Sequence, residues 1–397
     1  MIIQTLQALL KPSLAAMHAT RFKALMAAVE SGLTGASVSI TALGRAVSGA
    51  THIKHKIKRM DRLVGNSHIN GERLALYGVM TEWLLKSLPM PLILFDWSPL
   101  TNDQSQQLLR ASLPVGGRSI TLYEEVHPRA KLGNRKVQQQ FLERLQRMLR
   151  PSVTPIIVAD SGFRTPFFLA VERLGWHWLG RIRNRDFVAF DHHPEEWLQA
   201  KSLYAKATRK PKLLGAAHWV RSNPLSGQLV TFFRPPKGRK HLTLRKQPAK
   251  SRYSRKQAAR EKEPWLLVVS PSLKAYSPNR VVDYYRCRMQ IDEGFRDTKA
   301  THYGLDLAEE SRIQSKRRAN LLLIAALIGF ALWIVGINLK GSEIERHIKV
   351  NSGPKSPYSV IFLARIACHY VAFVLPAHYL ELAQTLLVGY FVTLEEG

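Results

Sequence analysis

Residues 285–299 read Tyr285-Arg286-Cys287-Arg288-Met289-Gln290-Ile291-Asp292-Glu293-Gly294-Phe295-Arg296-Asp297-Thr298-Lys299. Good helix formers fill the stretch apart from Gly294, and no proline interrupts 281–299, so the pattern predicts one continuous helix. At about 100° per residue, Tyr285, Arg288, Asp292 and Lys299 fall at roughly 0°, 300°, 340° and 320°, with Arg296 beside them and Glu293 about 100° round from Asp292. An aromatic, two cations and a carboxylate thus share one narrow stripe. Such a stripe suits a metal ion that must meet phosphate. It equally suits a solvated, ion-paired face, and spacing alone leaves both open.

Upstream, the apolar run Leu92-Ile93-Leu94-Phe95 reads as a buried strand ending at Asp96, and Pro155-Ile156-Ile157-Val158-Ala159 as another ending at Asp160. Between them, 109–115 and 119–126 read as strands around Gly116-Gly117, and 137–149 as an amphipathic helix. Residues 164–174 read as helix and 176–182 as a fifth strand. The order βββαβαβ, completed by the helix around Asp292, is that of an α/β, RNase H-like mixed sheet. In open α/β sheets sites lie beyond the carboxyl ends of strands. A single Asp ending a strand is commonly a turn cap, but two, each after an apolar run, point to apposed carboxylates that repel unless a hard cation such as Mg²⁺ holds them.

The totals fit an anionic partner. Lys plus Arg number 58 against 29 Asp plus Glu in 397 residues, a formal charge of +29, which argues for nucleic acid first and an anionic membrane surface second. Two cysteines, Cys287 and Cys368, make no disulfide framework and suit a reducing cytoplasm. The first residues lack the order of a signal peptide. Residues 1–87 read as helical and basic. Within them 40–47, a turn at Ser48-Gly49-Ala50, and 51–64 form a helix-turn-helix pattern, with Lys54, Lys56, Lys58, Arg59 and Arg62 on the second helix as expected of a recognition helix. The plainer reading is a helical hairpin with a solvated basic face. His52 and His55 lack further ligands and read as surface residues.

From 186 to 263 the composition shifts. No Asp or Glu occurs from 197 to 260, and Lys237, Arg239 and Lys240 open a basic run. We read a β-rich insertion (186–263) carrying a basic, partly disordered arm from 235. Trp219, Phe232, Phe233 and Tyr253 could stack on unpaired bases, though aromatics in a small β core are commoner. Asp191-His192-His193 reads as a loop. The apolar run 321–337 is just long enough for a membrane span; a buried core helix is preferred, because no second span accompanies it. Residues 88–185 and 264–345 then form two parts of one core, and 346–397 a C-terminal helical region.

The stretch 285–299 resembles the Y-x2-R-x3-E-x6-K signature of DDE transposases of bacterial insertion sequences, in particular the insertion sequence four family and its insertion-sequence-ten-like group. Tyr285, Arg288 and Lys299 match as they stand. Asp292 departs from the family's Glu, and Glu293 follows it. Asp96, Asp160, Leu43-Gly44-Arg45 and 56–63 extend the resemblance over most of the chain. It implies that Asp96, Asp160 and Asp292 or Glu293 bind two Mg²⁺ ions, with Mn²⁺ able to substitute. Arg288, Arg296 and Lys299 would contact phosphates, and Tyr285 the backbone near the cut. It further implies excision through hairpin ends, joining to target DNA, a homodimer on double-stranded DNA, no membrane partner, and a cytoplasmic protein. Asp is shorter than Glu by roughly 1.5 Å, whereas metal–ligand distances tolerate about 0.2 Å. A catalytically impaired DNA-binding protein and an RNase H-like nuclease without transposition are therefore the alternatives.

Overall fold

A computed structural model describes residues 2–14, 17–184, 186–236, 242, 247–300, 304–307, 313–350, 353, 358–370, 376 and 378–396. In chain order the helices α1 (Ile2–Leu10), α2 (Ala19–Leu33), α3 (Ile40–Ala46), α4 (Ile53–Val64) and α5 (Ser67–Leu84) precede strands β1 (Leu92–Pro99), β2 (Gln106–Pro114) and β3 (Ser119–Pro128) and helix α6 (Arg135–Gln146). Then come β4 (Ile156–Ala159), α7 (Thr165–Arg173), β5 (His177–Ile182), β6 (Phe187–Phe190), β7 (Leu198–Gln199), β8 (Lys212–Trp219) and β9 (Leu225–Phe232). Helix α8 (Arg252–Ala259), β10 (Trp265–Val269), α9 (Pro278–Cys287), α10 (Met289–Lys299), α11 (Ser315–Leu339), α12 (Glu343–Ile348), α13 (Val360–Tyr370) and α14 (His378–Glu396) complete the chain. It is a mixed α/β protein whose residues divide into two compact units, 1–155 with 287–393, and 156–286 with 394–397.

In the first unit β1, β2 and β3 pair antiparallel, with Asp96 opposite Arg110 and Arg110 opposite Glu124. β1 and β3 therefore run the same way, and their carboxyl ends share one edge. One face is closed by Phe95, Tyr123 and Phe141, whose rings lie 4.8–5.5 Å apart. Helix α11 is the unit's spine. It packs on β3, α2, α4, α5, α10, α12 and α13, and 89% of its apolar window is buried in protein. By length and hydropathy it is the one described helix able to cross a bilayer, yet its sides are taken up by neighbouring elements. Its polar start holds the N-terminal hairpin: Asn320 Nδ2 donates to Val64 O (2.9 Å) and Arg317 pairs with Asp61. Helices α3 and α4 cross closely enough that a Cβ on Gly44 would lie 2.5 Å from Ile57 Cα. The expected recognition-helix cations Lys54, Lys58 and Arg62 are exposed, with Lys56 and Arg59 partly so.

In the second unit β4 and β5 are parallel, and β5, β10, β9, β8, β6 and β7 follow as antiparallel neighbours. The strands read as an insertion thus continue the sheet that β10 belongs to. Trp219 and Phe232 lie buried in its core, packed on Trp178 and Trp265; they are not offered to bases. The arm read as partly disordered contains α8, while Lys237, Arg239 and Lys240 lie outside the described residues, as does the Tyr253 side chain.

Candidate active site

The helix read as continuous over 281–299 is broken at Arg288, between α9 and α10. The backbone of Arg288 stays helical (φ −52°, ψ −34°), but the next bond is a tighter three-residue one, Ile291 N to Arg288 O (3.2 Å). Periodicity cannot register such a break, because Arg288 itself keeps helical dihedrals. The break frees α10 to lie on β1–β3. Gly294 permits the closest approach, since a Cβ there would stand 2.5 Å from Ser119 Oγ and 3.2 Å from its carbonyl oxygen. Gly294→Val should therefore cost about 1–3 kcal/mol of stability through overpacking, read as a lower urea midpoint.

Three side chains of α10 and its break converge on the second half of β1, which continues past Asp96 to Pro99 instead of ending there. Arg288 Nη1 donates to Asp96 Oδ2 (2.9 Å) and its Nη2 to Asp292 Oδ2 (3.2 Å), so one guanidinium bridges two carboxylates. Trp97 N donates to Asp96 Oδ1 (2.8 Å). Lys299 Nζ donates to Ser98 Oγ (2.7 Å) and Pro99 O (2.5 Å) and lies 5.3 Å from the Phe295 ring centroid. Arg288 and Asp96 are nearly enclosed, whereas the Asp292 carboxylate is 49% exposed.

Glu293 goes elsewhere. Its Oε2 accepts from Arg118 Nη1 (2.5 Å) and Arg296 Nη1 (2.7 Å), beside Asp297, which Arg118 also approaches (3.4 Å). Burial pushes the Asp297 carboxyl up to about 6, against the pull of Arg118. Unfolded, this group would ionise near 4. The folded form then holds the extra proton between those values, so stability falls as pH rises from about 4 to about 6. Asp297→Asn should flatten that slope in thermal melts over the same range.

Sequence reasoning missed the groups that hold α10 in place. Gln290 Oε1 accepts from Val115 N (3.1 Å) and Gly117 N (2.9 Å) of the β2–β3 turn, and its Nε2 donates to Tyr390 (2.9 Å). Beneath the helix Arg110, 2% exposed, pairs with Glu124, 1% exposed, at 2.7 Å. Arg110 also donates to Thr298 Oγ1 (3.1 Å) and sits 4.7 Å from the Phe295 centroid, while Tyr77 donates to Glu124 (3.1 Å). The available signal was an arginine following Leu108-Leu109 in β2 and a Glu-Glu pair following Leu122-Tyr123 in β3.

The second unit holds the remaining expected residues. Asp160 follows β4 and its Oδ1 accepts from Gly162 N (2.7 Å), forming a turn cap. Tyr285, expected to meet DNA, is only 3% exposed and packs edge-on to Trp265, with centroids 5.0 Å apart. Its ring is engaged in the core because α9 turns that face inward. Among the described residues no three His, Cys, Asp or Glu stand close enough to hold a metal ion.

A family model described as transposase DDE domain matches residues 88–328. No curated protein matches the chain. Six chains of solved structures match. One belongs to the piggyBac transposase synaptic complex with hairpin DNA, at 9% identity and a TM-score of 0.40, covering 100% of this chain and 79% of that one. A likeness that distant carries no argument here.

Proposed function

We propose, from the premise that this chain belongs to the transposase DDE domain family, that it cuts a bacterial insertion sequence from DNA and joins it to a target. The observation that carries this reading is the meeting of Asp96, Asp292, Arg288 and Lys299 on the second half of β1. Two carboxylates bridged by a guanidinium are a place where positive charge is already stabilised, and their hard oxygens suit a divalent cation. Asp96 and Asp292 are the acids that would hold it, and the resemblance alone adds Asp160; Glu293 is committed to Arg118 and Arg296. What two bound Mg²⁺ ions, or Mn²⁺ in their place, would supply is activation of the attacking oxygen and charge relief on the leaving one.

The chain's own groups do the rest. Asp96 and Asp292 set the negative charge at the site. Lys299, a point charge braced by Ser98 and Pro99, is fitted to grip a scissile-strand phosphate; Arg288, assigned to phosphate by the resemblance, has its planar fork on Asp96 and Asp292. Tyr285, Arg288 and Lys299 at signature spacing support placement in the insertion sequence four family and its insertion-sequence-ten-like group. That placement brings hairpin ends, a homodimer joining two ends, and a cytoplasmic setting on DNA. Antiparallel β1–β2–β3 followed by parallel β4 and β5 supports an RNase H-like core, and the exposed cations of α4 support a DNA-binding hairpin ahead of it.

The test is incubation of the purified protein with DNA carrying the inverted repeats that flank its gene, with and without Mg²⁺, beside an Asp160→Ala control. Metal-dependent cuts at the repeat ends, lost in the variant, are expected. Specific binding with no cleavage would instead identify a DNA-binding protein.

A further inference from the structure

The link between β3 and α6, Arg129-Ala130-Lys131-Leu132-Gly133-Asn134-Arg135-Lys136, has no part in the chemistry above. It carries four cations, and no Asp or Glu occurs from Val126 through Leu142. Arg129, Lys131, Arg135 and Lys136 are all exposed. At its tip stands Leu132, 50% exposed, just before Gly133 at φ +71°. A lone exposed leucine needs no explanation on a mixed surface. Ringed by cations on a fixed loop, it does.

The loop is fixed at both ends. Arg129 N donates to Ser105 O (2.8 Å), Leu132 N to Arg129 O (3.0 Å) and Asn134 N to Lys131 O (3.0 Å). The Asn134 side chain then caps α6 through Val137 N (3.1 Å). Its place in the sheet also matters. Through β2, Pro99 at the end of β1 is level with Gln107 and so with His127 at the end of β3. The loop therefore leaves the same end of the sheet as Pro99, roughly 10 Å from it by two strand spacings, with Asp96 three residues back along β1. Cations flanking an apolar tip match what proteins present to a DNA groove: phosphates bound on both sides, and an aliphatic wedge against sugars and base edges.

We infer that this loop is a second DNA contact, with Arg129, Lys131, Arg135 and Lys136 on duplex phosphates and Leu132 against the groove floor beside the cut. The inference rests on the transposase reading, and the test separates the two. Binding of the full chain to terminal-repeat duplex is measured across a salt series. Four phosphate contacts contribute about 0.9 each to the slope of log affinity against log salt. Replacing all four cations by Ala should therefore make that slope shallower by about 3.6 and weaken binding at low salt. Leu132→Ser should weaken binding about tenfold and leave the slope alone. A photo-crosslinker at position 132 should attach to the strand next to the cut. Parental melting temperatures check that the variants fold. A parent that ignores terminal-repeat DNA overturns the transposase reading. A parent that binds it, with the quadruple variant's slope unchanged or the crosslink absent, overturns the loop's role alone.

Discussion

Asp292→Asn should slow metal-dependent cleavage about 10³-fold, the several kcal/mol that a metal-held carboxylate supplies, while Glu293→Gln stays within a few-fold of the parent. The two acids are neighbours in sequence and part company in space. Asp292 Oδ2 reaches the guanidinium that also holds Asp96. Glu293 is clamped by Arg118 and Arg296 on another side of α10. The substitutions keep shape and remove one charge, so the readout is single-turnover cleavage with both variants checked for parental melting. The reverse ranking would mean that α10 rotates when DNA binds, making Glu293 the ligand. Equal, full activity of both would remove the acid of this helix from the chemistry.

Glu124→Ala should lower stability by about 3–5 kcal/mol, because it strands a buried charge. Arg110 lies in the middle of β2 and nearly all its donors point into protein, to Glu124 and Thr298. Removing both charges together, as Arg110→Met with Glu124→Leu, should recover most of that loss. Urea midpoints of the two variants are the measurement. The double variant should still cleave poorly, since α10 would keep its hydrophobic seat on Phe295 but lose the bond through Thr298. Full activity in the double variant would show that the buried pair serves stability alone.

Much of this was legible in the sequence. The apolar runs before Asp96 and Asp160 both gave strands; the second ends at Ala159 as expected, but the first runs past Asp96 to Pro99, because Trp97, Ser98 and Pro99 pair with β2, a long-range register that no local run reports. The stripe carrying Arg288, Asp292 and Lys299 survives in the fold, since all three lie beyond the point where helical phase is lost or right at it. Tyr285 lies before that point, and its face turns to Trp265. Nothing local marks the break. Nor could spacing separate Asp292 from Glu293: what holds Glu293 on another side of α10 is Arg118, which the chain delivers from the β2–β3 turn far upstream. The pairing of β9 with β10 is likewise a long-range register. The fate of 321–337 depends on neighbours that cover it, which hydropathy alone does not report.

Helix α11 ties the α3–α4 hairpin to the sheet that bears Asp96: Asn320 and Arg317 grip one end, and β3 lies along its flank. Under the proposed function, with α4 assigned to the terminal repeat, the protein would act as a ruler: a buried rod of protein, not a tether, would set the count of base pairs between the sequence read and the bond broken. Lengthening the DNA between them by half a turn should then abolish cutting rather than shift it.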